Sequence, residues 1–140
     1  MQVMSSPLEE AVERVGDRWT LLIVDALLAG PRRFTDLEGD ISGIAPNILS
    51  QRLKRLEHDA LVVARPYSRR PLRMIYELTA PGRELAGTLR LLAHWGAGHS
   101  EEAGAPRHVA CGTPMEARWY CPTCAHPVHE DHGESDLRFV

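Results

Sequence analysis

The residue types best suited to chemistry crowd into one stretch near the C-terminus, HVACGTPMEARWYCPTCAHPVHEDH, residues 108–132. It holds all three cysteines of the chain and four of its seven histidines. His108-x-x-Cys111-Gly112 and Cys121-x-x-Cys124 are two short knuckles separated by nine residues. A two-residue gap lets both members of a knuckle reach one tetrahedral ion, because the chain turns tightly between them. The pattern predicts a small zinc ribbon with structural Zn2+ held by His108, Cys111, Cys121 and Cys124. "MEARWY" is then a strand returning to the second knuckle. So short a module needs such a staple to fold.

Other chemistries fit this stretch less well. A redox Cys-x-x-Cys pair belongs in a thioredoxin-like βαβ setting, which the surrounding pattern lacks. A zinc deaminase needs His-x-Glu ahead of Pro-Cys-x-x-Cys, whereas here "HVA" has no glutamate and Tyr120 precedes Cys121. In "HEDH" the histidines are three apart, not the four of a zinc protease helix. A fully ligated Cys3His shell also leaves no open coordination position, so catalysis is not expected. His126, His129 and His132 read as solvated tail residues, with replacement of His108 or a weaker second site as alternatives. Phe139 and Val140 could dock back at the end of the chain.

What positions this tail is a longer patterned segment. Ser6-Pro7-Leu8-Glu9 spells a capping box with proline at the first helical position. A second helix, from about Arg18 to Ala29, is apolar on almost every side and predicted to be the buried centre, stopped by Gly30-Pro31. Thr35-Asp36-Leu37-Glu38 reads as another capping box opening a short third helix. "DISGIAPN" is a turn, and a fourth helix runs from about Pro46 to Asp59 with Leu49, Leu53, Leu56 and Ala60 as one stripe. "LVVARPY" and "RMIYELT" are two strands joined by the basic connection "SRRPL". A long helix from about Pro81 to Gly98 carries Leu85, Leu89, Leu92 and Trp95 on one face, with Leu91 on a second. That predicts a deep core position or a partner subunit. "SEEAGAPR" is a linker, and no internal repeat is evident.

Charge then separates the segments. The net charge of −3 argues alone against nucleic acid, but residues 52–73 carry seven basic and two acidic side chains, and the flanking segments are acidic. One basic island in an acidic chain is a candidate footprint for phosphate. On the fourth helix Asn47, Gln51, Lys54 and His58 fall opposite the leucine stripe, flanked by Ser50 and Arg55. Asn47, Ser50 and Gln51 suit base edges in the major groove, and Lys54 and Arg55 suit phosphates. Arg69 and Arg70 sit at the hairpin tip, flanked by Arg65 and Arg73, where a wing touches backbone or minor groove.

The chain is long enough for one domain with a small appendage, and 44% hydrophobic content supports a core. There is no basic-then-apolar leader and no membrane-length apolar run. An odd cysteine count fits reduced thiols, and the expected location is cytoplasmic.

These blocks together carry a resemblance. "VGDRWTLLIVDALLAGPRRFTDLEGDISGIAPNILSQRLKRLEHDALV", then "YELTAPGREL" and "HWG", resembles the HxlR-type transcriptional regulators, a branch of the MarR-like winged-helix proteins, over about residues 6–98. The resemblance implies a homodimer held by the first and last helices, with each recognition helix in one of two successive major grooves of a near-palindromic operator. It also implies control of transcription. Two positions depart from the family pattern. A Cys-Pro pair is common at the start of the first helix and its thiol senses electrophiles or oxidants in some members; here the pair is Ser6-Pro7, and a hydroxyl cannot form sulfenic acid or disulfide. Where the family usually has glycine before the first wing strand, this chain has Ala60, which costs about 1 kcal/mol if the position needs positive φ.

The expected fold is mainly α with a small β-hairpin wing (α+β): a winged helix-turn-helix over 1–99, a linker over 100–107 and a zinc-ribbon-like tail over 108–140. The expected function is that of a DNA-binding transcriptional regulator, not an enzyme. Its expected partners are double-stranded DNA and a second copy of itself, and any cavity beneath the long helix would be an effector pocket for a small molecule. Two alternatives are a winged-helix protein-interaction module and a regulator whose tail senses zinc or redox state.

Overall fold

The computed structural model describes residues 5–98 and 104–128, with two further two-residue strands at 130–131 and 134–135. The chain groups into two units, Met1–Arg90 and Leu91–Val140. In the first, α1 (Pro7–Val15) starts as its sequence spells: Ser6 Oγ accepts from Glu9 N at 3.1 Å, and Ser6 N donates to Glu9 Oε2 at 2.6 Å. The second helix, α2 (Arg18–Leu28), is capped by Asp17, which accepts from Thr20 N at 3.1 Å. After a two-residue strand β1 (Arg32–Arg33) come α3 (Phe34–Asp40) and α4 (Pro46–His58). The hairpin β2 (Val62–Arg69) and β3 (Leu72–Leu78) follows, then α5 (Ala80–Arg83) and α6 (Leu85–Ala97).

The sheet order is β1-β3-β2, antiparallel throughout, so β3 is central and β2 is an edge. The core gathers Ile23, Val24 and Leu27 of α2 with Leu37 of α3 and Leu49, Leu53 and Leu56 of α4. Val62 and Leu78 seal it from the sheet. Each fully buried leucine or isoleucine contributes about 1.5–3 kcal/mol relative to exposure, so this aliphatic cluster outweighs any surface contact. A mainly helical winged helix-turn-helix with small antiparallel sheets is therefore the architecture, as the element order predicts.

Several expected details change. The third helix begins at Phe34, not after Thr35: Asp36 is its third residue and its Oδ2 accepts from Arg33 N at 2.9 Å, so the cap is set two residues earlier and only the returning half of a box forms. The second helix is not buried all round; Thr20, Ile23, Val24 and Leu27 face inward, while Leu22 and Asp25 are exposed. The expected long helix is two helices. Thr79 Oγ1 caps Gly82 N at 3.2 Å to start α5, and α6 begins anew at Leu85. Of its expected apolar face, Leu89 is buried and Leu85 half-buried, whereas Leu91, Leu92 and Trp95 are exposed. The strand β1 went unforeseen, because two residues are too few to show a period.

In the second unit, the tail carries β4 (Tyr120–Cys121) paired with β5 (His126–Pro127), and β6 (Glu130–Asp131) paired with β7 (Glu134–Ser135). Of "MEARWY" only Tyr120 is strand; Met115–Trp119 is irregular. The side chains of His129 and His132, and Phe139 and Val140, lie outside the described residues.

Candidate nucleic-acid interface

The helix-turn-helix is α3, a turn and α4. Gly43 takes φ 79° in that turn, a left-handed conformation that favours glycine. Ile41 and Ile44 on either side are buried and hold the turn against the core. Leucines 49, 53 and 56 are at most 1% exposed, and this fixes the rotation of α4 about its axis. Asn47, Gln51, Lys54, Arg55 and His58 are consequently turned to solvent, with Ser50 half-buried beside them.

Two arginines of the basic island are committed to the scaffold. Arg52 Nε lies 3.0 Å from Asp17 Oδ1, and Asp17 Oδ2 accepts from Thr20 Oγ1 at 2.5 Å. Burial alone would raise the Asp17 pKa, but the Thr20 hydrogen bonds and the Arg52 guanidinium outweigh it and hold the carboxyl below its usual range. The Arg55 guanidinium donates to the backbone carbonyl of Glu13 in α1. Arg65 pairs with Glu77 at 3.7 Å on the exposed sheet. Among the described residues Lys54, Arg69, Arg70 and Arg73 have no ion-pair partner, so their full charge faces outward.

The wing tip is tighter than "SRRPL" suggests. Arg69 pairs with Leu72 across a turn of two residues, Arg70 and Pro71, and Ser68 Oγ donates to Pro71 O at 2.9 Å. Register slips between Pro66 and Ser68, which places Tyr67 in a bulge. The Arg33 guanidinium stacks over the Tyr67 ring, 4.7 Å from its centre. An open groove of about 490 Å³ runs between the wing and the start of α3, lined by Arg33, Phe34, Thr35, Tyr67, Leu72 and Arg73. Neither Arg33 nor Tyr67 was legible as a site residue, since Arg33 lies outside the basic island and meets Tyr67 only through the sheet.

In the tail, His108 Nδ1 and Cys111 Sγ are 3.3 Å apart, and the Cys111 thiol donates to Thr113 Oγ1 at 3.2 Å. Cys121 and Cys124 are also neighbours: the Cys124 and Thr123 amides and the Cys124 thiol donate to the Cys121 sulfur and draw its pKa down, while that of Cys124 is pushed up. Within each pair the two side chains are thus neighbours. Among the described residues no three His, Cys, Asp or Glu side chains converge on one point, so the structure does not bring the two pairs together. Nor, among those residues, is any helix long and apolar enough to cross a membrane.

Comparison with known proteins agrees with this geometry. A family model described as HxlR-like helix-turn-helix matches residues 14–103. An HTH-type transcriptional regulator of Mycobacterium tuberculosis, Rv3095, is 37% identical over 122 residues, 84% of this chain and 77% of that protein. The HTH-type transcriptional regulator YodB of Bacillus subtilis is 33% identical over 92 residues, 66% of this chain and 82% of its own. Among solved structures, that of the HTH-type regulator YtcD covers 68% of this chain and 97% of its own at 34% identity, with a TM-score of 0.64. The redox regulator HypR in its reduced form covers 69% of this chain and 95% of its own at 26% identity, also with a TM-score of 0.64.

Proposed function

This chain belongs to the HxlR-like helix-turn-helix family and is an HTH-type transcriptional regulator, and on that premise we propose that it binds a near-palindromic operator as a homodimer. One observation carries the reading: α4 turns its polar face outward while the wing tip offers unpaired arginines. Asn47, Ser50 and Gln51 read base edges, Lys54 holds phosphate, and Arg69, Arg70 and Arg73 hold the flanking backbone or minor groove. Arg55 serves as a phosphate contact at the far end of α4 while its bond to Glu13 fixes its position.

The second copy is held through α1 and α6. Leu8 and Val12 lie one helical turn apart on α1 and are 72% and 55% exposed, and Leu91 and Leu92 of α6 are both 48% exposed. Such apolar surface on short helices is what a partner subunit covers. The winged-helix and dimerisation domain spans 1–99, the linker 100–107 and the tail 108–140. A structural zinc held by His108, Cys111, Cys121 and Cys124 belongs to the tail and adds no residue to the DNA surface.

The test is duplex binding with DNA selected from random sequence. Two chains per operator and a log affinity falling steeply with log salt are expected. Absence of any duplex binding at low salt overturns the reading.

A further inference from the structure

Arg32 and Arg33 adjoin in sequence and meet opposite fates. Arg32 Nε lies 3.4 Å from Asp40 Oδ2, so its charge is matched within the fold. Arg33 has no ion-pair partner among the described residues. Asp36, the acidic residue nearest to it in sequence, accepts from the Arg33 backbone N–H and not from its side chain. What the Arg33 guanidinium does meet is the Tyr67 ring, whose centre is 4.7 Å away. Tyr67 reaches it from the bulge where β2 and β3 slip register, and a bulge re-aims the side chain it carries.

Stacking uses the face of a guanidinium and leaves its edge. The five N–H donors lie in the plane of the group, so a ring against that plane blocks none of them. A long side chain already held in one place also loses less freedom when a ligand takes it. Tyr67 is 42% exposed, which keeps the pair at the surface. Both residues line the open groove between the wing and the start of α3, together with Thr35 and Arg73. Arg73 likewise has no ion-pair partner among the described residues. Two uncompensated guanidinium groups and a hydroxyl on one groove suit an anion with several oxygens. An open groove suits a strand passing through it better than a small molecule that must be enclosed.

The operator reading says which strand. Major and minor grooves alternate along a duplex, with a sugar-phosphate strand between them. A domain that sets α4 in a major groove and its wing in the adjacent minor groove must straddle one such strand. We infer that the groove between the wing and α3 seats that strand, with Arg33 donating to one of its phosphates while stacked on Tyr67. This rests on the operator reading and adds a phosphate contact outside the basic island of residues 52–73. Arg73 holds the same strand from the wing side of the groove. Tyr67 is a positioning residue: it acts through Arg33 and keeps the guanidinium aimed.

The experiment uses the full-length chain and the duplex selected from random sequence, with single phosphates replaced in turn by uncharged methylphosphonates. At one position the replacement is expected to weaken the parent chain roughly 10-fold or more, as loss of a hydrogen bond between charged groups does. Arg33→Ala should lose a similar factor on the unmodified duplex, be indifferent to that replacement, and lower the salt slope by about 1. Arg33→Lys should keep the slope and lose part of the affinity, because it keeps the charge without the planar fork. Tyr67→Ala should weaken binding about 2- to 5-fold at an unchanged slope, and Tyr67→Phe, which keeps the ring, should match the parent. Urea unfolding of each variant reports the fold separately. No duplex binding by the parent chain overturns the operator reading and this contact with it. Duplex binding by the parent that Arg33→Ala leaves unchanged in affinity and slope overturns the contact alone. So does a loss in Arg33→Ala that no single phosphate replacement reproduces.

Discussion

Arg52 Nε donates to Asp17 Oδ1 at 3.0 Å, and this joins the recognition helix α4 to the residue that caps α2. The ion pair is about one-third exposed, so its Coulomb energy is modest; its effect is geometric as much as energetic. Asp17 at once caps a helix, accepts from Thr20 and orients Arg52. Asp17→Ala is expected to cost about 1–2 kcal/mol, mainly the lost cap, measured by urea unfolding at neutral pH.

The same residue sets a pH dependence. Its folded pKa is lowered, so the stability it contributes is present above the ordinary aspartate value of 3.8 and is lost as pH falls through the lower folded value. Asp17→Asn should flatten the acid limb of the stability profile. An unchanged limb in urea titrations between neutral and strongly acidic pH would remove Asp17 from that account.

On DNA, base-reading and phosphate-holding side chains should separate. Gln51→Ala or Asn47→Ala is expected to cost about 1–3 kcal/mol on the preferred operator and to relax preference at one base pair. Lys54→Ala and Arg70→Ala should weaken all sequences alike and lower the salt slope by about 1 each. Anisotropy titrations against operator and scrambled duplex at several salt concentrations give both numbers.

Ala60 has φ 57° and closes α4 with two bonds, Ala60 N to Glu57 O at 3.0 Å and Leu61 N to Leu56 O at 2.9 Å. This is a helix end that glycine usually occupies. The conditional cost read from the sequence is therefore present. Ala60→Gly should stabilise the chain by up to about 1 kcal/mol, seen as a rise in the unfolding midpoint.

Gly82 is the opposite case. A Cβ there would sit 2.2 Å from the Leu61 carbonyl oxygen, and backbone cannot swing aside as a side-chain end can. Gly82→Ala is expected to destabilise by about 1–3 kcal/mol; a neutral result in thermal unfolding would show that α5 moves freely.

Much of this was legible because periodicity and caps are local. Leu49, Leu53 and Leu56 announce the rotation of α4, and Ser6 with Glu9 announces the start of α1. What stayed hidden depends on partners distant in sequence. Composition counts Arg52 among charges available to phosphate, and only the fold shows that Asp17 engages it and that the Glu13 carbonyl holds Arg55 in place. The helix break at Glu84 follows from Thr79 capping a short turn, which a continuous apolar pattern masks.

The outer edge of the wing bears on behaviour in concentrated solution. A bare β edge invites another chain to add a strand, and natural proteins blunt such edges with charge, proline and irregularity. Strand β2 has all three: Arg65 and Arg69, Pro66 without an N–H to offer, and the bulge at Tyr67. An arriving strand would find the ladder of donors interrupted and the register broken. The outer edge of the wing is thereby protected from edge-to-edge aggregation with other copies of the protein.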